Sequence, residues 1–484
     1  MLTLLLLCPL AGMLLILITP KTAVGRIRAI ALISTGAVLA GTLALVGAFP
    51  GGGAMVLEER VAWIPQMNIF YHLGLDGISL PMLALTGLLG FLACLASASI
   101  TERLKEYYAL YLLLEVGMLG TFLSLDLFLF YIFWEVVLVP MYLLIGIWGG
   151  GRREYSAFKF FIYTLAGSLA MLLAILALYL RAHTFDLLEL ARVGRTFDLA
   201  FQQLLFLAFF LGFAIKVPVF PFHTWLPDAH VDAPTPISVL LAGVLLKMGG
   251  YGFFRIAYPL FPQAAQWFAW PMALLGTINI VYGAFVAMAQ TDFKRLVAYS
   301  SVSHMGFVLL GLASLTPNGM NGAMLQMFSH GVVTGGMFLL VGVLYDRAHT
   351  RQLDAFGGLG VRMPVYAGFL IFFSLASLGL PGLSGFVAEF LSLLGAFQVP
   401  QLQLLTAIAV IGIVIAAAYM LRVMQQVLLG PLNEKWGALL DMTPRELASL
   451  VPLLIVVLAV GVWPLLILQM QDGAIQQLIA HVLH

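Results

Sequence analysis

Apolar segments of about twenty residues follow one another along the whole sequence, and they restrict the possible folds more than any other feature. An α-helix rises 1.5 Å per residue, so a segment of this length crosses the roughly 30 Å hydrocarbon core of a bilayer. Only 9% of the 484 residues are charged, whereas a soluble domain carries about 25%. The sequence therefore predicts an all-α membrane protein with a single polytopic domain over residues 1–484.

We expect about fourteen transmembrane helices. Their starts are predicted near Leu2, Ile30, Ser79, Tyr108, Leu125, Phe158, Phe201, Pro236, Phe268, Leu296, Asn321, Val365, Leu402 and Leu447. If the N-terminus lies on the outer side, the predicted inner loops hold sixteen lysines and arginines, among them Lys294, and the outer loops hold five, among them Arg255. This asymmetry favours the N-out orientation, because basic residues concentrate in cytoplasmic loops. The two remaining basic residues, Lys216 and Lys247, lie inside apolar segments.

Three charged residues interrupt these segments. Glu135 lies in "LFLFYIFWEVVLVPMYLLIGIWGG" and Lys247 in "PISVLLAGVLLKMGGYGFFRIAY", both about 15 Å from the start of their helix. A charge at the centre of a helix costs about 2.5–3.5 kcal/mol on insertion, so such residues are functional by default. Lys216, in "FFLGFAIKVPVFPFHTWLPDAH", could instead extend its amine to the membrane interface. The proposed role of Glu135 is a proton site whose affinity is set by a nearby lysine.

Two of the predicted helices are discontinuous. Pro218 and Pro221 interrupt the seventh, since each removes an N–H and frees a carbonyl one turn earlier. "SLASLGLPGLSGFVAEFLSLL" interrupts the twelfth at Pro381 and places Glu389 in its second half. Free backbone groups at this depth must face protein or water, so the seventh helix is predicted to break at a hydrated cavity. Broken helices with ionisable residues beside them are typical of transporters.

Several further polar residues are candidates for proton transfer. His304 and His330 lie in consecutive apolar segments, and imidazole titrates near neutral pH, so they are predicted to form a proton relay. Either one alone would be interpreted as a hydrogen-bonded core residue. Glu115, in the fourth helix, could pair with a neighbouring helix of this chain or of a partner.

A histidine-rich turn follows the first helix break. Its residues His223, Asp228, His230 and Asp232 are of types that bind metals, but prolines separate them. We therefore predict no metal site and favour a structural or proton-uptake role for His223 and His230.

The two broken helices are five helices apart, which suggests an internal repeat. The first five-helix repeat is predicted over residues 108–258 and the second over residues 267–430. Because five is odd, the second copy must be inverted across the membrane, as in many transporters. The symmetry is imperfect, because the second copy has no counterpart of Lys247.

The composition also excludes several functions. The two cysteines, Cys8 and Cys94, are too few for an iron–sulfur cluster, and no glycine-rich dinucleotide motif follows a predicted strand. We expect no cofactor in this chain. A net charge of +1 gives no electrostatic basis for binding nucleic acid.

The segments "FWEVVLVPMYLLIGIWGG", "HTWLPDAHVDAPTPISVLLAGVLLKMGGYG" and "LGLPGLSGFVAEF" resemble the antiporter-like subunits of complex I, the respiratory NADH:quinone oxidoreductase. The resemblance covers nearly the whole chain. It implies a multi-pass subunit of the bacterial cytoplasmic membrane that translocates protons and has no redox centre. It also implies neighbouring L-type and N-type subunits, with pumping roles for Glu135, Lys216, Lys247 and Glu389 and relay roles for His304 and His330. The glutamate at position 389 favours the M-type subunit, since related subunits typically have lysine there.

Two other functions remain open from the sequence. The chain could belong to a multi-subunit sodium/proton antiporter. It could also belong to a membrane-bound hydrogenase or formate-oxidising complex, whose membrane arm is similar.

Overall fold

The computed structural model describes every residue from Met1 to His484 and is almost entirely helical, with one two-stranded antiparallel sheet. We number the principal helices in chain order. They are α1 (Leu2–Ile18), α2 (Val24–Ala48), α3 (Ser79–Ala96), α4 (Leu104–Leu123), α5 (Leu127–Trp148), α6 (Arg153–Ala182), α7 (Leu199–Lys216), α8 (Trp225–Asp232), α9 (Thr235–Leu260), α10 (Ala269–Met288), α11 (Phe293–Ser314), α12 (Pro317–Ala348), α13 (Pro364–Ser377), α14 (Ser384–Phe397), α15 (Gln403–Leu428), α16 (Pro444–Val462) and α17 (Leu465–Leu483).

The predicted all-α membrane fold is confirmed. Eleven helices are long and apolar enough to cross a membrane, and three further apolar helices, α1, α13 and α14, are shorter. The number of about fourteen spans stays a prediction, because length and composition alone do not place a helix in the bilayer.

The centre of the bundle is formed by α9, α11 and α12. In the most apolar 18-residue stretch of each helix, 100% of the residues of α9 and α12 and 94% of those of α11 are buried within the chain. In the corresponding stretches of α2 and α16 only 33% are buried. Helices that are apolar all round lie inside a bundle, while those at its edge turn a face to lipid. Ionisable side chains on the three central helices are therefore enclosed by protein and not by lipid.

Both predicted helix interruptions are present. The first separates α7 from α8, and the second separates α13 from α14. In the second break Gly379 and Gly382 have φ angles of 81° and 90°, in the left-handed region that glycine adopts readily. These two glycines allow the chain to turn sharply while remaining inside the bundle.

Two elements were not predicted from the sequence. Residues Leu57–Ile64 (β1) and Ile69–Leu75 (β2) form a β-hairpin between α2 and α3. The segment was interpreted as a connection, because its few alternating residues are a weak signal beside the long apolar runs. Helix α17 follows α16 in a stretch with several glutamines that was not assigned to any element.

The chain shows a local correspondence between its two halves. Asp126, which precedes α5, forms an isolated antiparallel bridge with Asp186, and Asp292, which precedes α11, forms one with Gln352. The sequence separation between the partners is the same in both bridges. Each of the two aspartates also caps the helix that follows it.

Candidate functional site

Lys247 and His330 form the centre of the site. The Lys247 amine is wholly buried on α9, donates to the Ala242 carbonyl at 2.5 Å, and lies 2.7 Å from Nδ1 of His330 on α12. A π-helical turn over Leu241–Leu245 precedes the lysine. Such turns often mark functional sites in helices. The amine is thus held by a carbonyl and an imidazole, and it forms no ion pair with a carboxylate.

His304 and Glu389 extend this group. Nδ1 of His304 lies 2.9 Å from Oε1 of Glu389, and its Nε2 lies 3.3 Å from the Ser377 hydroxyl. The rings of His304 and His330 are 5.6 Å apart between centroids. Lys247, His330, His304 and Glu389 therefore form one continuous row of titratable side chains across α9, α12, α11 and α14.

A cavity of about 10 Å³ lies between the two histidines, about the space that one water molecule needs. It is lined by both rings and by Gln326, Ser377 and Glu389. Nε2 of His330 and Oε1 of Gln326 are buried without a protein partner. A water in this cavity has the donors and acceptors needed to connect the two rings.

Glu135 and Lys216, the other two charges inside apolar segments, form no ion pair with each other in this structure. Lys216 is buried at the end of α7, and its amine lies 4.9 Å from the centre of the Trp134 ring. Glu135 is only partly buried, and one of its carboxylate oxygens has no partner. Helix α5 is irregular at Val137, two residues beyond Glu135. Pro140 lacks the N–H that would bind the Val136 carbonyl, one turn earlier. The two charges are neighbours without contact.

Close packing joins this pair to the central row. A Cβ on Gly249 would lie 3.0 Å from that of Lys216, so α9 approaches α7 at this point with no room for a side chain. Gly249 is two residues beyond Lys247. Four of the six principal residues that the sequence predicted therefore form the row, and Glu135 and Lys216 lie on helices packed beside it.

The first helix break is closed by protein side chains. The Asn279 amide binds the Phe220 N–H at 2.8 Å and the Pro218 carbonyl at 3.1 Å, and the Trp225 indole donates to the Ile215 carbonyl. The sequence predicted a hydrated cavity at this break, whereas protein side chains satisfy these three backbone groups.

The other three candidates, Glu115, His223 and His230, lie outside the row. Both carboxylate oxygens of Glu115 are buried without a partner, and the side chain packs against Gly90 of α3. The ring nitrogens of His223 and His230 are also without partners. His230 stacks on Phe338 of α12, at 4.6 Å between ring centres.

No group of three or more histidine, cysteine, aspartate or glutamate side chains is arranged to hold a metal ion. Asp228 instead pairs with Lys159 at 2.7 Å and with Arg295 at 3.3 Å, while Asp232 accepts from the Ser156 hydroxyl. The turn is thus held by ion pairs and hydrogen bonds.

Sequence reasoning missed two buried cations. Arg255 was assigned to an outer loop, but it is buried on α9 and pairs with Asp76. Lys294 was assigned to an inner loop, but its amine is buried against the Ala233 carbonyl. Both lie near predicted helix ends, and sequence position alone does not show which way such a side chain turns.

Comparison with known proteins gives a consistent result. Residues 124–416 match the family described as "NADH:quinone oxidoreductase/Mrp antiporter, TM". The chain is 47% identical over 453 residues to NADH-quinone oxidoreductase subunit M of Rhodobacter capsulatus, covering 91% of this chain and 88% of the relative. The same subunit of Rickettsia bellii is 44% identical over 423 residues, covering 87% and 85%.

Solved structures have the same fold. A chain of respiratory complex I from Thermus thermophilus is 34% identical, with a TM-score of 0.90, covering 99% of this chain and 100% of that one. A chain of the Mrp complex from a Dietzia species has a TM-score of 0.86 at 23% identity, covering 99% of each chain, and shows the fold alone. The family match spans more than half of the chain, and the identities extend over most of both sequences. The chain therefore belongs to the membrane-spanning family of NADH:quinone oxidoreductase and Mrp antiporter subunits.

Proposed function

We propose that this chain is the M-type antiporter-like subunit of a respiratory NADH:quinone oxidoreductase, the counterpart of mitochondrial NADH dehydrogenase subunit 4. In this role it translocates protons, while quinone is reduced elsewhere in the complex. The printed names of the relatives at 44–47% identity support the assignment to this complex. A sodium/proton antiporter is the second candidate, supported by the fold of the Mrp chain and by the family description, which covers both kinds of complex.

The observation that carries the proposal is the continuous row from Lys247 through His330 and His304 to Glu389. Each member can gain or lose a proton, and burial removes competing bulk water. A proton that reaches Lys247 can pass to His330, across the small cavity to His304, and on to Glu389. Beside the Lys247 end of the row, the proton affinities of Glu135 and Lys216 would change as the distance between these two residues changes.

Other parts of the assignment follow from the same proposal. The chain holds no redox cofactor, its N-terminus faces the outer side of the cytoplasmic membrane, and L-type and N-type subunits are its neighbours. The subunits that co-purify with the chain distinguish an oxidoreductase from an antiporter or a membrane-bound hydrogenase.

The Glu135–Lys216 pair provides a test of the proposed function. We expect Glu135→Ala and Lys216→Ala to abolish coupled proton pumping while the complex still assembles, because each removes one of two opposite charges beside the row. Pumping is measured as acidification of sealed vesicles during NADH oxidation. Glu154→Ala and Lys21→Ala, at exposed positions, are the matched controls. Wild-type pumping by an assembled Glu135→Ala complex would contradict the proposal.

A further inference from the structure

A third buried lysine resembles the two in the proposed pathway. Lys294, in the first turn of α11, is only 3% exposed, and its amine donates to the Ala233 carbonyl at 2.5 Å. It forms no ion pair, although the positive charge of Arg351 and the negative charges of Asp292, Asp232 and Asp346 act on it. Lys216 and Lys247 are likewise buried without a paired carboxylate.

The environment explains how an unpaired ammonium is tolerated here. Ala233 immediately follows α8, so its carbonyl lies at the C-terminal end of that helix. The C-terminal end carries a partial negative charge, which stabilises a nearby cation. This stabilisation is weaker than that of a carboxylate, so it permits the amine to release its proton.

A cavity of about 310 Å³ adjoins Lys294. Lys294, Asp232, Asp346 and Arg351 provide its charged lining, and Ser99 and Thr235 contribute hydroxyls. Its volume is many times that needed for one water molecule. Ser99, which is exposed in the short turn that follows α3, marks where the cavity meets the surface. The cavity therefore offers solvent a route to a buried amine.

His230 is close to both this amine and the central row. Its ring is fully buried, both nitrogens are without partners, and the charges of Lys294 and Lys247 both reach it. It stacks on Phe338, about two helical turns along α12 from His330. An imidazole with two free nitrogens can accept a proton at one and release a proton from the other.

We propose that Lys294 is a proton-carrying residue at the mouth of the pathway, which takes protons from the 310 Å³ cavity and passes them through His230 to Lys247. The Lys294 ammonium gives one proton through water to the His230 ring, which gives one through water to the Lys247 amine. Water in the cavity then reprotonates Lys294. This inference rests on the proposed function, since it supplies the uptake site for the same row.

The test compares Lys294→Met, Lys294→Arg and Lys294→His in the assembled complex in sealed proteoliposomes. Pumping driven by NADH and quinone is followed against pH. Methionine and arginine should each lower the initial pumping rate at least about tenfold, because neither releases a proton. Histidine should restore pumping with its optimum at lower pH, since imidazole titrates near 6.5. Lys21→Met, at an exposed lysine, should pump normally.

Ser99→Trp tests the cavity without changing a titratable group, with Ser99→Ala as its control. The tryptophan should slow pumping and the alanine should not. Wild-type pumping by Lys294→Arg would show that only the positive charge matters and would overturn the inference, as would normal pumping by Ser99→Trp. If Lys247→Arg also pumped normally, the proposed function itself would fail. Impaired pumping in Lys247→Arg together with normal pumping in Lys294→Arg would reject only the uptake site.

Discussion

Glu389 is a single carboxylate whose partner in this chain is the imidazole of His304. Its second oxygen lies beside Gly379, where a Cβ would approach to 3.1 Å. The broken helix thus places the carboxylate at the end of the row, next to the turn that Gly379 forms. In this position Glu389 can act as the terminal exchange site of the proposed pathway.

We expect Glu389→Ala to abolish coupled pumping and Glu389→Lys to retain part of it. A lysine also gains and loses a proton at this position, whereas alanine does not. The measurement is the pumping rate at equal NADH oxidation, with Glu154→Ala as the control at an exposed site. Equal loss of pumping in both Glu389 variants would show that the carboxylate itself is needed.

His72 is a buried residue outside the membrane-spanning helices. Its two ring nitrogens lie 2.9 Å from Glu58 and 2.9 Å from Asp186, and Arg60 also approaches Asp186 at 3.3 Å. Burial alone would lower the pKa of His72, but the hydrogen bonds and charges of Asp186 and Glu58 outweigh it and raise this pKa above 6.5. The protonated ring therefore joins the β-hairpin to the segment that follows α6.

This linkage has a predictable pH dependence. Because the pKa of His72 is raised in the folded state, its stabilising effect is complete below pH 6.5 and is lost as pH rises through the raised value. Amide hydrogen exchange of the hairpin, corrected for intrinsic rates, should therefore become faster at high pH. In His72→Gln the same segment should lose this dependence. An unchanged pH profile in the variant would assign the effect to a group other than His72.

At the scale of elements, the ion pair between Asp76 and Arg255 joins α3 to α9. Asp76 also accepts from the backbone at the start of α3, and Arg255 donates to the Tyr251 hydroxyl at 3.0 Å. Tyr251 in turn donates to the Phe122 carbonyl at the end of α4. One buried pair therefore connects three helices.

We expect Arg255→Met or Asp76→Leu to destabilise the chain by about 3–5 kcal/mol, because each leaves a buried charge without its partner. The double variant should be less destabilised than either single one, since it leaves no unpaired charge. The midpoint of thermal unfolding of the purified complex measures this, with exposed Arg192→Met as the control. Additive losses in the double variant would contradict the assigned pairing.

The sequence predicted helices well and side-chain contacts only in part. Long apolar runs and the prolines at positions 218 and 381 locate the spans and breaks, because lipid imposes one dominant pattern. The contact between Lys247 and His330 depends on how two helices are rotated about their axes, which the sequence does not specify. The hairpin and the burial of Lys294 were missed because their signals are short and local.

At the scale of the whole molecule, we propose that residues 108–258 and 267–430 are two inverted repeats. The matching bridges at Asp126 and Asp292 support this, since each closes the same junction in its half of the chain. The row lies mostly in the second half and reaches Lys247 in the first. In this arrangement Lys247 is the link through which a proton passes from one repeat to the other.

The most direct test of this role is to measure proton pumping by complexes that carry Lys247→Arg or Lys247→Ala. Arginine keeps the positive charge but does not release its proton, so both variants should lose nearly all pumping while the complex assembles and oxidises NADH. If the Lys247→Arg complex pumped at the wild-type rate, Lys247 would serve as a fixed charge and the proposed pathway would be wrong.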